Sequence, residues 1–119
     1  KVLIADDDRV LTLLLARRLQ NLGWKVDVAM DAMQVLMFAN RGAPDVITLD
    51  INMPGGTGTE ALKKLKNNSK TAQIPVLVLS GSIKPDVAQD VKALGADAFL
   101  KKPADPDALH AALLELITR

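Results

Sequence analysis

The sequence predicts an α/β protein with a five-stranded parallel sheet that is covered by helices on both faces. Short apolar runs alternate five times with longer stretches that have the spacing of amphipathic helices. Strands that alternate with helices favour a parallel sheet. The first, third and fourth runs are apolar almost throughout, which is typical of strands whose two faces are both buried.

The five strands are predicted from runs of four or five residues, or three in the last case, that are mostly apolar. The predicted strands cover 2–5, 26–29, 46–49, 75–79 and 98–100.

The first two helices are predicted from apolar residues at helical spacing. In the first, the predicted inward face is Leu11, Leu15, Leu19 and Leu22, and Gly23 is the expected stop. The second is predicted to begin after an N-cap at Asp31 and to end before Gly42. Its predicted inward face is Ala32, Val35, Leu36 and Ala39.

The other three helices have clear beginnings or ends in the sequence. The third is predicted from Glu60 to about Asn67, and the fourth begins at Pro85 and stops at Gly95. The last has Asp105 as its N-cap, followed by Pro106 at the first helical position. Its predicted inward face is Leu109, Ala112, Leu113 and Leu116.

Composition excludes several classes of function. The net charge of +1 gives no electrostatic reason to expect binding to nucleic acid or to an anionic membrane. The absence of cysteine removes disulfides and thiolate chemistry and is consistent with a reducing, cytoplasmic location. The length of 119 residues suits a single domain, 1–119. Because an apolar strand follows directly on Lys1, we expect the domain to be trimmed or cut from a longer protein.

Polar side chains close the predicted strands. Asp6, Asp7 and Asp8 follow the first strand, Asp50 the third, Ser80 the fourth, and Lys102 the last. Open parallel sheets place their sites at the carboxyl ends of the strands, so these groups are expected to converge. Clustered carboxylates need a counter-charge, and Mg²⁺ prefers oxygen ligands of this kind. A carboxylate beside such a metal can also act as a nucleophile toward a phosphoryl group.

These strand-end motifs resemble those of the receiver domains of two-component response regulators. The motifs are "ADDD" (5–8), "LDINMPG" (49–55), "LSG" (79–81) and "LKKP" (100–103). Each motif alone is weak, but the four occur in the family's order across essentially the whole chain. The resemblance implies a flavodoxin-like (βα)5 fold with strand order 2-1-3-4-5, as in chemotaxis receivers.

The resemblance also implies roles for individual residues. Asp50 matches the phosphoacceptor, and Lys102 and Ser80 match the lysine and the hydroxyl that contact the phosphoryl group. Asp6 and Asp7 match the acidic pair that binds Mg²⁺, or alternatively Mn²⁺, together with Asp50. The remaining implied roles belong to the backbone carbonyl of Asn52 as a metal ligand, Phe99 as a switch aromatic beside Ser80, and Pro103 in a cis peptide bond.

The chain departs from the family's usual pattern at three positions outside these roles. Arg9 stands where a proline is frequent, Thr57 where an aspartate is common, and Ala104 where a phenylalanine often follows the Lys-Pro pair. Asp8 lies at a variable position, and we interpret it as a charge at the positive end of the first helix.

The family implies a histidine kinase or a histidine phosphotransfer protein as the phosphodonor and an unidentified output partner or effector domain. Phosphorylation is then expected to shift the surface of helix four, strand five and helix five, which is also a possible homodimer surface with Leu114 and Ile117. Met33, Met37 and Phe38 on the second helix are either a contact surface or residues covered by neighbouring loops.

Two other functions are compatible with the motifs. One is a phosphohydrolase with an aspartyl-phosphate intermediate, but such enzymes commonly have an acidic residue where this chain has Asn52. The other is a receiver-like binding module that works without phosphorylation, which typically lacks one of the site residues. The predicted role is therefore a signalling domain that catalyses only its own phosphoryl transfer and dephosphorylation, rather than an enzyme acting on other substrates.

Overall fold

Strands and helices alternate along the chain in the computed structural model, which describes residues 1–51, 58–81, 85–102 and 104–118. The predicted strands agree with the observed ones within one residue at each end, and the third helix begins at Gly58, two residues before the predicted start. In chain order the elements are β1 (Val2–Ala5), α1 (Arg9–Asn21), β2 (Val26–Ala29), α2 (Ala32–Gly42), β3 (Val46–Asp50), α3 (Gly58–Asn67), β4 (Val76–Ser80), α4 (Pro85–Ala93), β5 (Ala98–Lys101) and α5 (Pro106–Ile117).

The five strands form one parallel sheet in the order β2-β1-β3-β4-β5, as the resemblance implied. This strand order confirms the predicted flavodoxin-like (βα)5 fold. Its register aligns the carboxyl ends of neighbouring strands. Ala5 lies opposite Leu49, Asp50 opposite Leu79, and Ser80 opposite Lys101. The residues that end β1, β3, β4 and β5 therefore reach the same edge of the sheet.

The sheet has an apolar layer on each face. One layer contains Ile47, Leu49 and Val78 from the strands and side chains of α2 and α3 such as Val35 and Leu62. The opposite layer contains side chains of α1 and α5 against alternate strand residues. Strands β1, β3 and β4 are buried along their whole length, which confirms the prediction from their apolar sequences.

Aspartates cap three of the helices. Asp31 and Asp105 accept hydrogen bonds from the backbone N–H groups of Gln34 and Ala108, which confirms both predicted N-caps. The second helix extends one residue further than predicted, since it includes Gly42, and Ala43 is its C-cap. Ala43 takes the left-handed conformation with φ of 43°, a position at which glycine is more usual.

The predicted inward face of the first helix is partly wrong. Leu11 and Leu22 are 41% and 52% exposed, and the buried side chains of α1 are Thr12, Ala16 and Leu19. Leucines occupy so many positions between 11 and 22 that apolar spacing does not distinguish one face of this helix from another.

None of the helices within the described ranges combines the length and the apolar character that crossing a membrane requires.

Candidate functional site

Four of the predicted site residues lie at the carboxyl edge of the sheet. Asp6 directly follows β1, Asp50 and Ser80 are the last residues of β3 and β4, and Lys102 directly follows β5. The backbone N–H of Lys102 donates to the carbonyl of Ser80 at 2.8 Å. That bond holds the base of the lysine side chain against the neighbouring strand.

Three carboxylates come together at this edge. Asp6, Asp7 and Asp50 each place a carboxylate oxygen within 4.8 Å of those of the other two. Asp6 and Asp50 are 4% and 5% exposed, whereas Asp7 is exposed to solvent. Two buried carboxylates this close to each other require a compensating positive charge.

Lys102 supplies part of that charge. Its Nζ donates to Asp6 Oδ2 at 2.5 Å and to Asp50 Oδ2 at 3.1 Å. The lysine side chain is 20% exposed, so its ammonium group acts in a partly desolvated setting where ionic hydrogen bonds are stronger than at the surface. A single ammonium group thus joins the ends of β1, β3 and β5.

The surroundings of Lys102 change its affinity for a proton. Burial acts to lower the pKa of Lys102, but hydrogen bonds to Asp6 and Asp50 and the negative charges of both carboxylates oppose it. The pKa is therefore raised above the ordinary value of 10.5. Lys102 is therefore an ammonium cation at physiological pH.

Asp8 has a different role from Asp6 and Asp7. Its Oδ1 accepts from the backbone N–H of Leu11 at 3.0 Å, so it caps the first helix. Its own N–H donates to Asp6 Oδ1 at 3.0 Å. The predicted charge at the end of the helix is therefore a specific cap, and it also fixes the orientation of the Asp6 carboxylate.

Gly58 explains how α3 begins so close to Asp50. Its N–H donates to the carbonyl of Ile51 at 2.6 Å. A Cβ atom at this position would lie 2.4 Å from Ile51 Cα and 2.5 Å from the carbonyl oxygen of Asp50. Only glycine allows this approach without displacing the backbone that carries Asp50.

The other predicted site residues are Ser80, Phe99, Asn52 and Pro103. Ser80 is buried at the end of β4, and Phe99 in β5 is half-buried and packs against the core layer that contains Val91. Their switch roles stay predictions. Asn52 and Pro103 lie outside the described residues.

The donor set at this edge fits a hard divalent cation. Three carboxylates carry three negative charges and Lys102 carries one positive charge, which leaves two negative charges. Carboxylate oxygens are the ligands that Mg²⁺ prefers, and the exposed Asp7 leaves one side open to water and phosphate.

The structure also shows a buried polar group that sequence reasoning missed. Thr48 in the middle of β3 is fully buried, and its hydroxyl has no hydrogen-bond partner in the described part of the chain. The signal was a single polar residue within the apolar run Val46-Ile47-Thr48-Leu49.

The candidate contact surfaces are partly exposed. On α2, Met33 and Met37 are exposed, whereas Phe38 is half-buried against the core, so only part of its ring is available for a contact. On α5, Leu114 and Ile117 are exposed. Dimerisation and partner binding at these surfaces stay predictions.

The chain belongs to the response regulator receiver domain family, whose model matches residues 2–114. The response regulator PleD of Caulobacter vibrioides is 35% identical over 117 residues, which are 98% of this chain. The chain spans 26% of the length of PleD, so it corresponds to one part of that regulator.

Solved structures agree with this assignment. The chemotaxis protein CheY4 of Vibrio cholerae is 34% identical and superimposes with a TM-score of 0.91, covering 97% of this chain and 96% of its own. A response regulator from Burkholderia pseudomallei is 29% identical, with a TM-score of 0.86 over 94% of this chain and 65% of its own. That structure contains a phosphorylated aspartic acid, a calcium ion and citrate.

The paired contacts of Lys102 predict a pH dependence of stability. Because the folded pKa is raised, the stabilising contribution is fully present below the unfolded value of about 10.5 and is lost as pH rises through the folded value. We expect Lys102→Met to lower the free energy of unfolding by about 3 kcal/mol at neutral pH without metal, since two buried carboxylates lose their cation.

Denaturant unfolding in EDTA between neutral pH and high pH measures this difference, which should shrink above pH ~10.5. Lys101→Met is the control, because Lys101 is the exposed neighbour of Lys102 in the chain. A difference between Lys102→Met and the unmodified protein that stays constant at high pH would contradict the paired role of the ammonium group.

Proposed function

We propose that this domain is a signalling switch that is turned on when Asp50 accepts a phosphoryl group. The observation that carries the proposal is the bond pattern of Lys102, whose Nζ donates to Asp6 and to Asp50 at 2.5 and 3.1 Å. A lysine held between two buried carboxylates is placed to stabilise a phosphoryl group on either one. Asp50 is the proposed nucleophile, since it is the last residue of β3 and matches the phosphoacceptor of the receiver family.

Asp6, Asp7 and Asp50 are proposed to hold Mg²⁺, with Mn²⁺ as a substitute and the Asn52 carbonyl as a further ligand. Support comes from the two negative charges that remain after Lys102 is counted against the three carboxylates. The related Burkholderia regulator, which contains calcium and a phosphorylated aspartic acid, supports the same pairing of metal and phosphoryl group. A cation held by these residues would neutralise part of the charge on the phosphoryl oxygens.

The proposed reaction is phosphoryl transfer from a phosphohistidine. An oxygen of the ionised Asp50 carboxylate forms the new bond to phosphorus while the bond from phosphorus to the imidazole nitrogen breaks. The electron pair of the broken bond stays on the imidazole nitrogen of the donor, which then takes up a proton from water. Lys102 donates hydrogen bonds to the phosphoryl oxygens, and its positive charge offsets the charge that develops there.

Phosphorylation is proposed to act on the surface formed by α4, β5 and α5. The hydroxyl of Ser80 lies at the same sheet edge as Asp50, and it moves to donate to a phosphoryl oxygen. Phe99 then turns into the space beside Ser80, and the population shifts toward a second packing of this surface. Because Phe99 has no hydroxyl, its position depends on the space available and not on a hydrogen bond.

The proposed phosphodonor is a histidine kinase or a histidine phosphotransfer protein in the cytoplasm. The proposed recipient of the signal is an effector domain or an output partner that contacts α4, β5 and α5. A second copy of the chain, packed through Leu114 and Ile117, is a further partner on this surface. Autodephosphorylation by water attack on phosphorus at Asp50 resets the switch.

Substitution of Asp50 tests the acceptor directly. Asp50→Asn keeps the size and removes the nucleophile, so acid-labile phosphate uptake from phosphoramidate, a small donor with a P–N bond, should fall to background. Uptake is measured on the intact protein by mass spectrometry. Asp8→Asn is the matched control and should retain uptake, because asparagine also caps a helix. Undiminished uptake in Asp50→Asn would refute the assignment.

The two exposed acids that follow Asp6 are expected to differ in their effect on metal affinity. Asp7→Asn removes a predicted ligand and should raise the dissociation constant for Mg²⁺ by about 10-fold or more. Asp8→Asn should change it little, since the Asp8 carboxylate caps α1. Isothermal titration of each variant measures both constants, and equal weakening by the two substitutions would exclude the proposed division of roles.

A further inference from the structure

A cavity of about 490 Å³ lies between α1 and α5, and Asp6 and Lys102 are among the residues that line it. Its size is within the usual range of small-molecule sites, roughly 300–1,000 Å³. Apolar side chains form most of the wall, among them Leu11, Leu14, Leu15, Leu79 and Leu109.

The segment that enters α5 contributes the small side chain of Ala104 and the ring of Pro106 to the cavity wall, together with leucines of α1. A larger side chain in place of Ala104 is expected to occupy part of the cavity. Leu14 also lines the cavity and is strongly exposed, so the solvent-facing part of the wall is apolar as well.

Thr48 gives the cavity a specific polar group. It lines the cavity, is fully buried, and has no hydrogen-bond partner for its hydroxyl among the described residues. Two other buried threonines are satisfied, since Thr12 donates to the Asp8 carbonyl at 2.8 Å and Thr71 to the Leu65 carbonyl at 2.6 Å. An unsatisfied buried hydroxyl lowers stability unless something bonds it, so a partner from outside the chain is favoured.

The charged side chains of the lining already have partners. Arg18 Nη2 bonds Asp107 Oδ1 at 2.7 Å across the gap between α1 and α5. Lys102 bonds Asp6 and Asp50. A charged ligand would have to compete with these ion pairs, whereas an uncharged ligand would leave them intact.

We propose that this cavity binds a small uncharged molecule with an apolar ring or branched chain and one hydroxyl or carbonyl group that bonds to Thr48. The apolar part would displace water from the leucine walls, and the polar group would satisfy the buried hydroxyl. Asp6 and Lys102 line the same cavity, so the ligand lies beside the proposed phosphoacceptor site. Binding itself requires neither metal nor phosphorylation, which lets the two proposals fail separately.

Para-cresol and para-xylene form a suitable pair of probes, because they differ only in a hydroxyl and a methyl group. Both are titrated into the metal-free protein while the methyl NMR signals of Ile4, Leu79 and Leu109 are followed. We expect saturable shifts with both probes and tighter binding of para-cresol. Shifts that do not saturate would overturn the proposal and leave the cavity as a solvent-filled space.

Two substitutions locate the binding. Ala104→Phe fills the cavity and should abolish saturation, whereas Met33→Phe, which adds the same ring on the exposed face of α2, should not. Thr48→Val keeps the shape of the side chain and removes the hydroxyl. It should weaken the binding of para-cresol by about threefold to tenfold and leave the affinity for para-xylene unchanged. Thr48→Val still tests the site if Ala104→Phe changes the packing of the helices.

Saturable shifts that persist in Ala104→Phe would show that the probes bind elsewhere and would overturn the proposed location. Equal affinity of Thr48→Val and the unmodified protein for para-cresol would overturn the role of the hydroxyl.

Discussion

The bonds from the Lys102 ammonium group to Asp6 and Asp50 are the interaction on which the site depends. The parallel register brings the ends of β1 and β3 to one edge and so forces two buried carboxylates together. Without a cation between them this arrangement would be strongly unfavourable. The lysine compensates only part of the charge, and the remainder makes the edge suitable for a divalent cation and, with it, a phosphoryl group. The repulsion between the carboxylates and the suitability of this edge for a cation thus have the same cause.

The surrounding fold serves to keep that arrangement in place. Asp8 holds the Asp6 carboxylate through its N–H while its own side chain caps α1. Gly58 lets α3 begin directly against the backbone of Asp50, and the Lys102 N–H is bonded to the Ser80 carbonyl. These contacts come from separate loops, so the position of each site residue is set by backbone that does not itself take part in the chemistry.

Much of the site was predictable from the sequence, because the carboxyl ends of neighbouring parallel strands lie at the same edge of a sheet. Asp6, Asp50, Ser80 and Lys102 were identified in that way, and the helix caps at Asp31 and Asp105 followed from local chemistry. The inward face of α1 was not predicted correctly, since its leucines lie on several sides of the helix. The cavity beside Thr48 was also beyond reach, because its volume depends on the distance between two helices that no local pattern encodes.

Anomalous diffraction from crystals soaked in Mn²⁺ tests the central claim most directly, because it locates the cation and the lysine in one experiment. The account predicts a Mn²⁺ peak bonded to carboxylate oxygens of Asp6 and Asp50, with Lys102 Nζ displaced from its contact with Asp6 toward Asp50 or solvent. A peak at another acidic cluster, or no peak at this edge at saturating Mn²⁺, would contradict it.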